Sequence, residues 1–134
     1  MLDWVVRTLG AVVSLALVLH GCRSVKGPGV TDPGVICTMI AVSSLNVAVR
    51  DTATGQRVCD ASVVALQGGD RYELDRTGDP QGCGYAGPYE RSGIFEVRAT
   101  RPGYQAASVG NVHVDADECH VIPVSLTVDL RPGS

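Results

Sequence analysis

Ile122-Pro123-Val124-Ser125-Leu126-Thr127-Val128-Asp129-Leu130 carries the clearest secondary-structure pattern in the chain. Ile122, Val124, Leu126, Val128 and Leu130 occupy every second position, and Ser125, Thr127 and Asp129 lie between them. A period of two puts the apolar set on one face of an extended chain and the polar set on the other. This is a strand of an antiparallel sheet with one side against a core and the other in water. Pro123 has no N–H to give to a ladder, so it marks an edge or the ragged start of the strand.

The same alternation recurs upstream. Leu45, Val47 and Val49 share one face, then Ala61, Val63 and Ala65, then Tyr72 and Leu74, then Phe95, Val97 and Ala99. Turn chemistry separates these runs: Thr54-Gly55, Gly68-Gly69, Gly78-Asp79-Pro80, Gly87-Pro88, Ser92-Gly93, Pro102-Gly103 and Gly110-Asn111. From Val35 onward no window carries apolar residues at helical spacing. Strands at this rhythm predict an all-β, seven-stranded antiparallel β-sandwich over residues 35–134.

Composition agrees with one domain and narrows its role. The chain has 134 residues with 45% hydrophobic and 19% charged, and a net charge of −3. That balance excludes an acidic disordered tail and gives no electrostatic footprint for nucleic acid.

The first 21 residues read as an address rather than as fold. Leu9 to Leu19 is almost wholly apolar behind Arg7, the form of a secretory signal and short for a membrane span of about 20 residues. Leu19-His20-Gly21-Cys22 resembles a bacterial lipobox, with His20 standing where small residues prevail. The resemblance implies a lipoprotein signal peptide over residues 1–21 and palmitate-bearing lipid on Cys22, which becomes the mature N-terminus and a membrane anchor. Arg23 replaces the aspartate that in such proteins marks inner-membrane retention, which leans towards the cell outer membrane. Residues 22–34, with Gly and Pro and no apolar period, read as a flexible tether that reaches at most about 40 Å.

A second resemblance covers residues 45–130. Val49-Arg50-Asp51-Thr52-Ala53-Thr54-Gly55-Gln56-Arg57-Val58-Cys59-Asp60-Ala61-Ser62-Val63 is similar to the opening of carboxypeptidase regulatory-like domains. There a strand ends in Asp, a Thr-Gly turn follows, and the next strand begins after Asp-Ala. Gly93-Ile94-Phe95-Glu96-Val97-Arg98-Ala99-Thr100-Arg101-Pro102-Gly103-Tyr104 resembles the same family's aromatic strand leading into a Gly-Tyr turn. The resemblance implies a transthyretin-like (prealbumin-like) sandwich that serves as a non-catalytic module. Tyr104 then reads as a structural corner residue.

With Cys22 assigned to lipid, Cys37, Cys59, Cys83 and Cys119 form an even set. If seven strands alternate up and down, Cys37 and Cys119 fall at one end of the sandwich and Cys59 and Cys83 at the other. The pairs Cys37–Cys119 and Cys59–Cys83 then cross nothing. The transthyretin-like topology, in which first and last strands are neighbours, supports the first pair. No two cysteines have the spacing of a zinc ribbon.

Several motifs point to chemistry. Gly82-Cys83-Gly84-Tyr85-Ala86-Gly87 matches G-x-G-x-x-G, but Gly87-Pro88 prevents the helix a dinucleotide site requires. His113, Asp115, Asp117, Glu118 and His120 admit a metal-binding module at the last β-turn, against the plainer reading of a solvated acidic turn. A transthyretin-like hydrolase is the other alternative. Its known members end in Tyr-Arg-Gly-Ser, whereas this chain reads Leu130-Arg131-Pro132-Gly133-Ser134. H-x-x-E and G-x-S-x-G are absent from the sequence. Adhesin domains of similar fold use a lysine–asparagine isopeptide bond, but the one lysine, Lys26, lies in the tether.

The sequence therefore predicts a lipid-anchored envelope protein that is not an enzyme, holds no cofactor and no metal, and acts as a binding or structural module. A protein or glycan of the envelope is the expected partner, with no nucleic acid. Tyr85, Tyr89 and Arg91 form the candidate binding loop, two tyrosines and an arginine being the side chains interfaces favour.

Overall fold

The computed structural model describes residues 34–78 and 82–133. The signal peptide, Cys22 and nearly all of the tether lie outside the described residues. The rest belong to one unit, Gly34–Ser134.

Among the described residues there is no helix. Nine strands run in chain order: β1 (Ser43–Asp51), β2 (Ser62–Gln67), β3 (Asp70–Glu73), β4 (Asp75–Thr77), β5 (Gly84–Tyr89), β6 (Gly93–Thr100), β7 (Tyr104–Gln105), β8 (Ala107–Val114) and β9 (Val124–Pro132). They form a five-stranded sheet, β4-β5-β1-β9-β7, and a four-stranded sheet, β3-β2-β6-β8. Their inner faces share one apolar core.

The strand count exceeds seven for a local reason. The chain changes sheets at Leu74: β3 pairs with β2, β4 pairs with β5, and the buried Leu74 between them gives its N–H to Val63 O at 2.9 Å. What periodicity reads as one strand is two short ones. Strand β7 adds two residues against the end of β9.

Not every pairing is antiparallel. Strands β1 and β9 run parallel in continuous register, from Leu45 opposite Val124 to Asp51 opposite Leu130. First and last strands that point the same way can be neighbours only in parallel. The end where β1, β6 and β9 begin is called the lower end below, and the end where they finish the upper end.

The core follows the alternation. Leu45, Val49, Phe95, Val97, Val128 and Leu130 are all under 2% exposed. Burial fades down β9: Val128 and Leu130 are sealed, Val124 and Leu126 are partly covered, and Ile122 lies before the strand and is exposed. Two expected turns lie inside strands. Gly87-Pro88 belongs to β5, and Gly110-Asn111 belongs to β8. The pairing of β6 with β8 shifts between Phe95 and Val97, where Asn111 takes φ 54°. An extra residue accommodated in this way is a bulge, and asparagine tolerates the left-handed region better than most side chains.

Two disulfides staple the sandwich, Cys59–Cys83 and Cys37–Cys119. The first closes 24 residues of chain at the upper end, between the start of β2 and the start of β5. The second closes 82 residues at the lower end and ties the arm before β1 to the turn before β9. Restricting the unfolded chain in loops of these lengths contributes about 3.5 and about 4.5 kcal/mol.

Candidate functional site

The lower end holds the most elaborate side-chain cluster. Three segments meet there: the arm before β1, the β5–β6 corner, and the turn before β9. Glu90 sits at the corner with φ 52°. Its N–H reaches Val42 O at 2.9 Å, while its Oε1 accepts the N–H of Val42 at 2.7 Å and its Oε2 the N–H of Val121 at 3.3 Å. The turn is built by Asp117, whose Oδ1 accepts the N–H groups of Cys119 and His120 at 2.8 and 2.9 Å. That turn aims His120 at the corner, so that Nδ1 lies 2.8 Å from Glu90 Oε1 and Nε2 lies 2.9 Å from Thr38 Oγ1. The Val42 N–H, with His120 after it, holds the Glu90 carboxyl below the usual carboxylate range. The His120 and Cys119 N–H groups do the same for Asp117.

Hydroxyl, imidazole and carboxylate thus stand in line. With its proton on Nδ1 facing Glu90, His120 offers Nε2 as acceptor to the Thr38 hydroxyl, the order in which a base draws a proton from a nucleophile. The same contacts also clamp the arm, since Thr38 follows Cys37 of the lower disulfide. A groove of about 510 Å³ runs along the cluster, lined among others by Thr38, Met39, Ile40, Glu90, Asp117 and His120.

The upper end is organised around Asp51, the last residue of β1. Its Oδ1 accepts the N–H groups of Ala53 and Thr54 at 2.7 and 3.3 Å, and its Oδ2 accepts the Tyr104 hydroxyl at 2.6 Å. Gly55 closes this turn with φ 74°, a conformation that a Cβ would strain. Arg101 lies over the Tyr104 ring at 5.0 Å and pairs with Asp60 at 2.7 Å. These groups satisfy one another, so the end reads as a corner that fixes strands.

The candidate binding loop is dispersed. Residues 84–89 form strand β5 rather than a loop. Tyr85 is buried at the upper end, where its hydroxyl donates to Val58 O at 2.9 Å and accepts the Ala61 N–H at 3.0 Å. Tyr89 and Arg91 lie at the lower end, Tyr89 exposed and Arg91 stacked on the Tyr72 ring at 5.0 Å. Strand β5 has neighbours on both sides and is buried along most of its length, which places Tyr85 in the core. Nor do the acidic and histidine side chains around the last turn converge. Asp117 and His120 are engaged as described, and among the described residues no three His, Cys, Asp or Glu group as metal ligands.

The Thr38–His120–Glu90 line has no counterpart in the linear sequence. His120 lies 82 residues from Thr38 and 30 from Glu90, so no local spacing announces the contact. The one available signal was the proximity of Thr38 and His120 to the cysteines Cys37 and Cys119.

No protein-family model matches the chain, and no curated protein is similar enough to it to count as a relative.

Proposed function

We propose that the chain is an exported, lipid-anchored protein of the bacterial cell envelope, held through Cys22, whose carboxypeptidase regulatory-like β-sandwich acts as a non-catalytic binding or structural module. The observation that carries this reading is the closure of two disulfides by four of the five cysteines. Structural disulfides belong to oxidising compartments outside the cytosol. The fifth cysteine, Cys22, stands directly behind an apolar run in a lipobox-like setting. Each methylene of an attached chain adds about 0.8 kcal/mol of bilayer affinity, so several chains hold a soluble domain there durably. Outer rather than inner membrane is the proposed home, on the strength of Arg23.

Two observations support the transthyretin-like reading of the sandwich. The first and last strands are neighbours, and the two sequence segments that resemble the family meet at the Tyr104–Asp51 hydrogen bond.

Cross-linking on intact cells followed by mass spectrometry tests the module role. Recovery of one protein or glycan of the envelope supports it, whereas cross-links confined to cytosolic proteins contradict it. The alignment of Thr38, His120 and Glu90 favours a second reading, a hydrolase acting on esters or amides. A substrate panel decides between them: turnover that disappears in Thr38→Val establishes the hydrolase, and its absence across the panel leaves the module.

A further inference from the structure

Exposed apolar side chains are not spread over this domain. Among the described residues, every large one lies at the lower end: Val35, Ile36, Met39 and Ile40 on the arm, and Tyr89, Ile94 and Ile122 at the same end of the strands. The upper end presents Thr52, Thr54, Gln56, Arg57 and Pro102 instead. Singly exposed apolar residues are ordinary, but a concentration at one pole of a small domain marks a surface that meets something apolar.

The arm is fixed in this presentation. Cys37 is bonded to Cys119, Thr38 to His120, and Val42 to Glu90 through both backbone groups. Met39 projects into solvent between these ties and Ile36 directly before the first of them, 103% and 94% exposed. The charged groups among them are largely consumed internally, with Glu90 and Asp117 holding backbone N–H groups and His120. Asp115 and Glu118 stay exposed at the rim, and Arg91 is the neighbouring cation.

The position of the chain identifies the occupant. Gly34 emerges at this same end, immediately before Val35. Upstream, eleven residues separate Gly34 from Cys22, and the apolar run 9–19 precedes that cysteine. Cys22 and that run are therefore joined to the domain through its lower end, by at most about 40 Å of chain.

We propose that the lower end is a lipid-docking surface: Val35, Ile36, Met39 and Ile40, with Tyr89, Ile94 and Ile122, seat the sandwich on the bilayer in a fixed orientation, upper end outward. The inference rests on membrane attachment through the residues before Gly34, as proposed above. With acidic residues at its rim, the surface suits a zwitterionic lipid face, and apolar contact rather than charge carries the binding.

The test uses the full chain, produced in a bacterium that lipidates it and reconstituted in phosphatidylethanolamine–phosphatidylcholine vesicles with and without brominated acyl chains. Trp4 is replaced by phenylalanine, and a single reporter is placed by Met39→Trp at the lower end or Thr54→Trp at the upper. Vesicle-bound chain is recovered by flotation before fluorescence is read. Docking predicts at least threefold stronger quenching for Met39→Trp than for Thr54→Trp. The difference is lost when Ile36→Ser and Ile40→Ser are added, and it is retained in 0.5 M salt. Floated chain with equal, weak quenching at both sites overturns docking and leaves the anchor standing. Chain that does not float contradicts the anchor and the docking together. Both added substitutions are at exposed positions, so circular dichroism and intact disulfides verify the fold of the variant.

Discussion

The Tyr104 hydroxyl donates to Asp51 Oδ2 at 2.6 Å across 53 residues of chain. It joins the end of β1 to the start of β7, and therefore the turn after the first strand to the turn after β6. Asp51 is simultaneously the acceptor that shapes its own turn, through Ala53 and Thr54. Removing the hydroxyl in Tyr104→Phe leaves those two bonds intact and lowers the melting temperature by roughly 4–8 °C, the effect of one hydrogen bond in a domain of this size. Asp51→Ala, which orphans all three donors, lowers it further. Scanning calorimetry on the two variants checks the order.

Stability falls away at both extremes of pH. Tyr104 first, then the Ala53 and Thr54 N–H groups, hold Asp51 below the usual carboxylate range, and Glu90 and Asp117 are held low by backbone N–H groups. A carboxyl depressed on folding stabilises at pH above its unfolded value, and that contribution disappears as pH falls through the folded value. The loss therefore sets in below about pH 4. Tyr104 is raised because it donates to Asp51, and Tyr85 is raised by burial. Phenols raised on folding stabilise below their unfolded pKa, so this contribution goes as pH climbs beyond about 10. Melting temperature falls below the acid limit and again above the alkaline one, and Tyr104→Phe keeps only the part of the alkaline limb that Tyr85 supplies.

The two disulfides open in a set order. Cys37 is exposed and Cys119 half-buried, whereas Cys83 is sealed at 1% exposure. Thiolate attack needs access to sulfur. Titration with a mild reductant under native conditions therefore releases Cys37 and Cys119 first, as alkylation and peptide mapping will report. The paired change Cys37→Ser with Cys119→Ser speeds amide exchange in residues 35–41 while β1 stays protected.

Ile94 and Phe95 are neighbours on opposite faces of β6, one 54% and the other 1% exposed. Phe95→Ala empties the centre of the core and costs about 3–5 kcal/mol, while Ile94→Ala stays within about 0.5 kcal/mol. Denaturant titration separates them.

The alternating residues made much of this architecture legible. Leu45, Val47 and Val49 in β1, and Val128 and Leu130 in β9, face the core as their period requires. Strand β5 was legible only as a strand opening at Cys83, because Gly84-Tyr85-Ala86-Gly87-Pro88-Tyr89 is buried along most of its length and so shows no alternation, while its Gly and Pro imitate a turn. Ile122 keeps the period of β9 but lies past the core's edge, where periodicity has nothing to pack against. The Thr38–His120–Glu90 line arises from three distant segments and has no local sequence pattern. The apolar arm at Val35–Ile40 was visible as composition only, since its meaning depends on the end of the sandwich to which Cys119 ties it.

Intact-mass and N-terminal peptide mass spectrometry of the chain extracted from membranes reads the state of Cys22 itself. The expected product is a mature chain that begins at Cys22 and carries diacylglycerol on its sulfur, and this species is lost in Cys22→Ser. A membrane-extracted chain with unmodified Cys22, or one that begins elsewhere and still carries no lipid, would contradict it.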